Sequence, residues 1–212
     1  MEHLKYQEKG SKMLEKLIVL VEEYSMEVAL DSILPKVIGD VEFQIVRFQC
    51  KDDLLKQLPK ILKGYSAWMP DNWRIVVLVD RDDDDCIRLK QHLENVSAQA
   101  GLVSKTAAPQ NGTFKVVNRI AIEELEAWFF GDWNAVRAAY PKVRSNVPKK
   151  APYRNPDAIL GGTWEAIERE LKAAGYFKAG LRKVDFARQV AKEMQPEINT
   201  SRSFQVFLTA VT

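Results

Sequence analysis

The chain has 212 residues, 46% hydrophobic and 28% charged, a composition ordinary for a globular protein with one substantial core. Its formal net charge of +2 is unevenly spread: residues 141–193 carry 12 Lys or Arg against 6 Asp or Glu, a net of +6 that leaves −4 for the remainder. Two cysteines (Cys50, Cys86) and two histidines (His3, His92) argue against structural zinc, and no apolar run approaches the roughly 20 residues of a membrane span.

No signal-peptide pattern opens the sequence, so a reducing cytoplasm is the expected compartment, where the N-x-S/T triplets at Asn95 and Asn111 carry no glycosylation meaning. An acidic first part and a basic last part suit a metal-dependent enzyme acting on a polyanion, and equally suit ordinary solvated helix faces.

KLIVLVEE, residues 16–23, reads as a first buried strand, and SMEVALDSILPKVIG after it sets Met26, Ala29, Leu30, Ile33 and Leu34 at helical spacing. VEFQIVRFQ alternates as a second strand. KDDLLKQLPKILKGY then starts a helix on aspartates, with Pro59 as an expected break and Gly64 near its end. WRIVVLVD is the third strand, and CIRLKQHLENVSAQAG its helix, stopped at Gly101. FKVVNRIAI, residues 114–122, is the fourth strand, and EELEAWFFGDWNAVRAAY begins a helix rich in large aromatics. Such alternation predicts an α/β fold, a mostly parallel sheet flanked by helices on both faces. From Pro141 to Pro156, four prolines and five basic residues with no acidic one read as an exposed connection or functional loop. TWEAIERELKAAG, KVDFARQVAKEM and a serine-capped SRSFQVFLTAV complete a helical C-terminal region.

Acidic residues recur where these strands end. The first delivers Glu22 and Glu23, with Glu27 one helical turn on; the third delivers Asp80 and Asp82; the fourth delivers Glu123, Glu124 and Glu126. In a parallel sheet these ends share one edge, where open α/β folds place their ligands. Carboxylates so gathered suit Mg²⁺ or Mn²⁺, hard cations that leave positions for water and phosphate oxygens. The competing reading is local: Asp83, Asp84, Asp85 and Glu124 as helix starts and Glu27 as a solvated helix face.

The stretches VEEYSMEVAL, VLVDRDDDD and AIEELEAWFFGD resemble the TOPRIM arrangement of topoisomerases, primases and the overcoming-lysogenization-defect nucleases. More closely, the chain is similar to small bacterial TOPRIM-like proteins often associated with ATPase partners, whose marks are an E-x-S-x-E motif, an EELEAW helix start and a C-terminal Ser-Phe pair, here Ser203 and Phe204. The resemblance implies a TOPRIM-like α/β domain over residues 1–140, with a basic loop and helical extension over 141–212 packed on it. It also implies that Glu23, Glu27, Asp80 and Asp82 are catalytic, with Lys183 neutralising phosphate and Arg182 close behind. Glu22, Glu23, Glu27, Asp80, Asp82, Glu124 and Glu126 are then the metal-ligand candidates. The TOPRIM glutamate is usually followed by glycine, whereas Glu22 is followed by Glu23 and Glu23 by Tyr24, which leaves register and activity open.

The expected function is a metal-dependent nuclease acting on DNA or RNA, as the effector of a bacterial defence or repair system with an ATPase partner. The alternative is a non-catalytic TOPRIM-like module that binds nucleic acid or a partner. Lys142, Arg144, Lys149, Lys150, Arg154 and Arg182 are the expected nucleic-acid contacts. Trp128, Phe129, Phe130 and Trp133 read as core, and Tyr153 with Arg154 as the better stacking pair because loops expose side chains. Cys86 follows aspartates whose field disfavours its thiolate. No Ser, His and Asp order suggests a hydrolase triad, and no Gly-rich loop suggests ATP hydrolysis.

Overall fold

A computed structural model describes residues 13–110 and 112–212, so that His3 and Asn111 lie outside the described residues. β1 (Lys16–Val21) lies between β2 (Glu42–Arg47) and β3 (Trp73–Asp80), and β4 (Val116–Ala121) completes the sheet in the order β2-β1-β3-β4, every pairing parallel. This is the α/β architecture, a parallel sheet flanked by helices, that the alternation of strands and helices predicts.

The apolar runs in β1 and β3 follow from burial on both faces. Leu17, Val19, Val21, Val76 and Leu78 face one half of the core, while Ile18, Leu20, Ile75, Val77 and Val79 face the other. The second half is closed by α2 (Lys51–Ser66) and α3 (Cys86–Gln99). The first is closed by α1 (Tyr24–Ile38) and by α4 (Glu126–Gly131), α5 (Trp133–Ala139), α6 (Thr163–Ala173), α7 (Lys183–Glu193) and α8 (Arg202–Val211). α7 lies along α1 and α5, and α8 lies against β4. Among the described residues no helix is long and apolar enough to cross a membrane.

Several sequence expectations need correction. Pro59 does not break its helix: α2 runs through it, because Leu54, Leu58 and Leu62 bury one face while Pro59 stands exposed, where water can satisfy the carbonyl its ring frees. The helix expected after β4 splits into α4 and α5 at Asp132. One oxygen of that carboxylate caps α5 by accepting from the Ala135 N–H (3.1 Å), and the other accepts from the Gln195 N–H (2.7 Å). The proline-rich stretch is no open loop either. It forms short 3-10 turns at Val147–Lys149, Ala151–Tyr153 and Pro156–Ala158, and it buries Val143, Val147, Tyr153 and Pro156.

The aromatic cluster is core, as expected. Trp128 meets Phe204 and Phe207 of α8 at 5.0 Å, and Phe129 meets Phe186 of α7 at 5.3 Å, edge to face. Tyr153, expected to stack on a ligand, instead packs on Phe130 at 5.3 Å with 6% of its surface exposed.

The C-terminal Ser-Phe pair has a structural role. Asp157 accepts hydrogen bonds from the hydroxyls of Ser201 and Ser203 (2.8 and 2.7 Å) and from the backbone N–H groups of Arg202 and Ser203, and the Trp128 indole donates to Ser203 Oγ at 3.0 Å. Ser201 caps α8 by accepting from the Phe204 N–H. One carboxylate thereby ties the start of α8 to the aromatic core. Replacing Asp157 by Ala strands several of these donors and is expected to lower the unfolding free energy in urea by about 2 kcal/mol; an unchanged midpoint would show that the network is not what holds α8.

Candidate functional site

The carboxyl ends of β1, β2 and β3, with the segment after β4, surround a cavity of about 330 Å³ whose walls include Glu22, Glu23, Lys51, Asp80, Asp82, Glu124 and Lys183. The local backbone is built for this. Asp82 and Glu123 both take left-handed conformations (φ 48° and 65°), a costly choice for a glutamate, and the Asp82 N–H bonds to the Glu123 carbonyl at 3.2 Å. The two turns leaving β3 and β4 are thus tied to each other, and Arg81 adds an ion pair with Glu123.

Three carboxyl groups at this point are buried: Glu22 (5% exposed), Asp80 (6%) and Glu126 (1%). The Asp80 N–H donates to Glu22 Oε1 at 2.5 Å. Among the described residues, Asp80 Oδ1 and Glu126 Oε1 find no hydrogen-bond partner. Burial, and then repulsion from Glu22 and Glu126, pushes Asp80 well above the ordinary carboxylate range. Burial likewise raises Glu22 to about 7, although the Asp80 N–H works against it, and raises Glu126 to about 7 despite the charge of Lys183. Burial and mutual repulsion disfavour ionising all three together unless positive charge offsets them.

Two lysines supply positive charge. Lys183, the first residue of α7, holds its ammonium 4.6 Å from the Trp164 ring; burial opposes its charge, but Glu126, Glu23, Glu124 and Asp80 outweigh that and raise it above the usual lysine value. Lys51, the first residue of α2, bonds Asp82 Oδ2 (2.6 Å), Asp84 Oδ2 (2.8 Å) and the carbonyls of Arg81 and Asp80 (3.2 and 3.3 Å). Burial works against it too, and the hydrogen bonds it donates to Asp82 and Asp84 prevail, so it is also raised. Sequence reasoning overlooked Lys51, taking KDD only as a helix start. The signal was present, since this lysine lies just beyond β2 on the edge where the other strand ends were assigned.

The expected site residues separate into groups. Glu22, Glu23, Asp80, Asp82 and Glu124 line the cavity, and Glu126 is buried close enough to act on Asp80 and Lys183. Several of these are already engaged. Ser25 donates to Glu23, Asp82 is held by Lys51, and Glu124 caps α6 by accepting from Thr163 Oγ1 (2.8 Å) and the Trp164 N–H (2.9 Å). Glu27 does not line the cavity: one helical turn carries it to Arg47, whose Nε it meets at 2.8 Å. Asp85 caps α3 through the Arg88 N–H, as the local reading of the aspartates has it. Of the expected nucleic-acid contacts, Lys142, Arg144, Lys149, Arg154 and Arg182 are exposed, and none of them lines this cavity. Lys150 is paired with Glu170 at 2.6 Å.

As a donor set for a hard divalent cation, the buried oxygens fit in kind: carboxylates only, two of them with an atom that lacks any partner. Among the described residues no group of three or more His, Cys, Asp or Glu side chains is arranged so that it could hold a metal ion as it stands.

The sequence pattern of DUF4276, a domain of unknown function, matches residues 21–212. The chain belongs to the DUF4276 family. It is similar to the C-terminal region of the Xanthomonas campestris pv. campestris OLD protein, in structures phased with iodine and with mercury; each is 15% identical, covers 92% of this chain and 93% of the other, and gives a TM-score of 0.47. No curated protein matches. The DUF4276 match takes in every acidic strand end and both lysines of the cavity.

The buried Glu126 makes stability depend on pH in this DUF4276 protein. Its proton is retained up to about 7 in the folded state and lost near 4.5 in the unfolded chain. Across that window the folded state binds the extra proton, so stability falls as pH rises, by an amount on the order of 3 kcal/mol when complete. Glu126→Gln is therefore expected to raise the melting temperature at about pH 8 in EDTA and to change it little at about pH 5. An equal effect at both would remove the charge from the explanation.

Proposed function

We propose that this protein is a metal-dependent nuclease that hydrolyses phosphodiester bonds of DNA or RNA. The observation that carries the reading is the burial of Glu22, Asp80 and Glu126 at adjoining strand ends, two of them with unpartnered oxygens, beside the charged Lys183. Asp80, Glu22 and Glu126, with Glu23 and Glu124 at the wall, would hold Mg²⁺ or Mn²⁺. When bound, such an ion lowers the pKa of water and stabilises charge on phosphate oxygens.

The chain's own groups divide the remaining work. The Lys183 ammonium, kept charged by four carboxylates, neutralises the phosphate brought to the cavity. Glu23, oriented by the Ser25 hydroxyl and half-buried at the cavity wall, accepts the proton of the attacking water. Lys51 steadies the turn after β3 through Asp82 and Asp84 and so presents Asp80. The free thiols Cys50 and Cys86 are in keeping with a cytoplasmic protein. Action as the effector of a bacterial defence or repair assembly, with an ATPase partner, is supported by the TOPRIM resemblance alone.

Two features favour a second reading, a non-catalytic module that binds nucleic acid or a partner. Lys51 and Lys183 already bring two positive charges to the carboxylates, and the glycine usual after the TOPRIM glutamate is replaced by Glu23 or Tyr24. Calorimetry with Mn²⁺ separates the two: uptake that Asp80→Ala removes supports the nuclease, whereas salt-sensitive DNA binding without uptake supports the module.

Purified protein is expected to nick supercoiled plasmid in Mg²⁺ or Mn²⁺. Asp80→Ala should abolish nicking, and Lys183→Met should slow it about a hundredfold or more. Nicking that persists unchanged in Asp80→Ala would trace the activity to a contaminant.

A further inference from the structure

A second cavity, of about 830 Å³, opens between α5 and the segment that joins α6 to α7. Its walls include the buried ring of Tyr140 and the half-buried rings of Tyr176 and Phe177. Tyr140 meets Tyr176 at 5.1 Å and Phe177 at 5.5 Å, both edge to face. Cations gather on the same rings: Lys142 Nζ lies 5.9 Å from the Tyr176 centroid and the Arg182 guanidinium 5.8 Å from that of Phe177, while Lys178 is exposed beside them. Asp185 is the one acidic wall residue among those described. Its pair with Arg182 (3.1 Å) is exposed and holds the arginine only weakly.

The segment has a defined shape. Phe177 takes a left-handed conformation (φ 48°) between Gly175 and Gly180, and backbone bonds from Tyr176 to Leu171 and from Gly180 to Phe177, each 2.9 Å, pin the turn. Leu181 N–H donates to Glu168 Oε1 at 3.0 Å. The strained φ fixes the ring of Phe177 at the cavity wall, where one side packs on Tyr140 and part of its surface stays exposed.

We propose that this cavity binds single-stranded nucleic acid, with Tyr176 and Phe177 as the stacking platform for an unpaired base and Lys142, Lys178 and Arg182 as the contacts to its phosphates. Rings interleaved with cations are what sequence-tolerant strand binding requires, because every base offers a flat face and every link a negative charge. Beyond Lys142, the rest of the 141–156 stretch meets this need less well: Tyr153 is buried, Lys150 is paired with Glu170, and Arg154 bonds the carbonyl of Lys149. Arg182 is on its wall and the next residue, Lys183, is on the wall of the acidic cavity, so the two sites meet at the start of α7. That link to chemistry rests on the nuclease reading; the binding itself does not.

Fluorescence anisotropy of the full chain with labelled oligothymidylate and, separately, oligouridylate in EDTA tests the site without cleavage. Salt-sensitive binding is expected to either strand, and the tighter of the two identifies the preferred sugar. Phe177→Leu, which keeps apolar packing but removes the ring, should weaken binding about tenfold. Lys178→Glu, at an exposed position, should weaken it several-fold and flatten the slope of log affinity against log salt by about 0.7 or more. The matching duplex should bind more weakly, because its bases are already stacked. No binding by the wild type, equal binding of the duplex, or wild-type affinity in both Phe177→Leu and Lys178→Glu would overturn the proposal. So would a loss found instead in the double variant Lys149→Ala, Lys150→Ala. Intact strand binding without plasmid nicking would overturn the nuclease reading and leave this site standing.

Discussion

The constraint on which the rest of the structure depends is electrostatic: Glu22, Asp80 and Glu126 are carboxylic acids buried beside one another. Water would relieve them at a surface, and here it is largely excluded. They are left with three means of relief: retained protons, the two lysine ammonium groups, or a cation from solution. The first two are visible as raised proton affinities at Glu22, Asp80 and Glu126 and as lysines held charged despite burial. A folded chain tolerates such a cluster only when the surrounding packing is strong enough to hold it. That packing comes from the fully buried strands β1 and β3 and the aromatic layer built on Trp128, Phe129 and Phe130.

The two lysines oppose a local rule. A positive side chain at the first position of a helix faces the positive end of the helix dipole, which is an unfavourable place for it. Lys51 and Lys183 both occupy that position, in α2 and α7. Carboxylates account for both exceptions: Lys51 makes hydrogen bonds of 2.6 and 2.8 Å to Asp82 and Asp84, and Lys183 is held by the attraction of Glu126, Glu23, Glu124 and Asp80. The site is therefore a cluster of carboxylates offset in part by two lysines.

The C-terminal third shapes the site as much as the sheet does. α7 lies along α1 and α5 and so brings Lys183 to the acidic cavity, while Glu124 caps α6 and joins that helix to the end of β4. Asp157 and the paired serines anchor α8 on the same aromatic layer. Mutations far from the carboxylates, in the Ser-Phe segment for example, can thus act on the site through the packing that supports it.

By itself the sequence determined the alternation of strands and helices, the parallel sheet and the acidic strand ends, because each of these is written in local patterns. Both-face burial demands unbroken apolar runs, and the residues after such a run lie at the ligand-binding edge. Only the tertiary structure decided which acids meet. Glu27 falls on the Arg47 side of its helix and Glu126 on the Asp80 side, a difference of direction that spacing does not encode. It also decided that Lys51 belongs to the site, that Tyr153 is core, and that the helix after β4 breaks where Asp132 finds Gln195, 63 residues on. Each of these depends on a partner distant in the chain, and whether a side chain is buried, charged or free is settled by that partner.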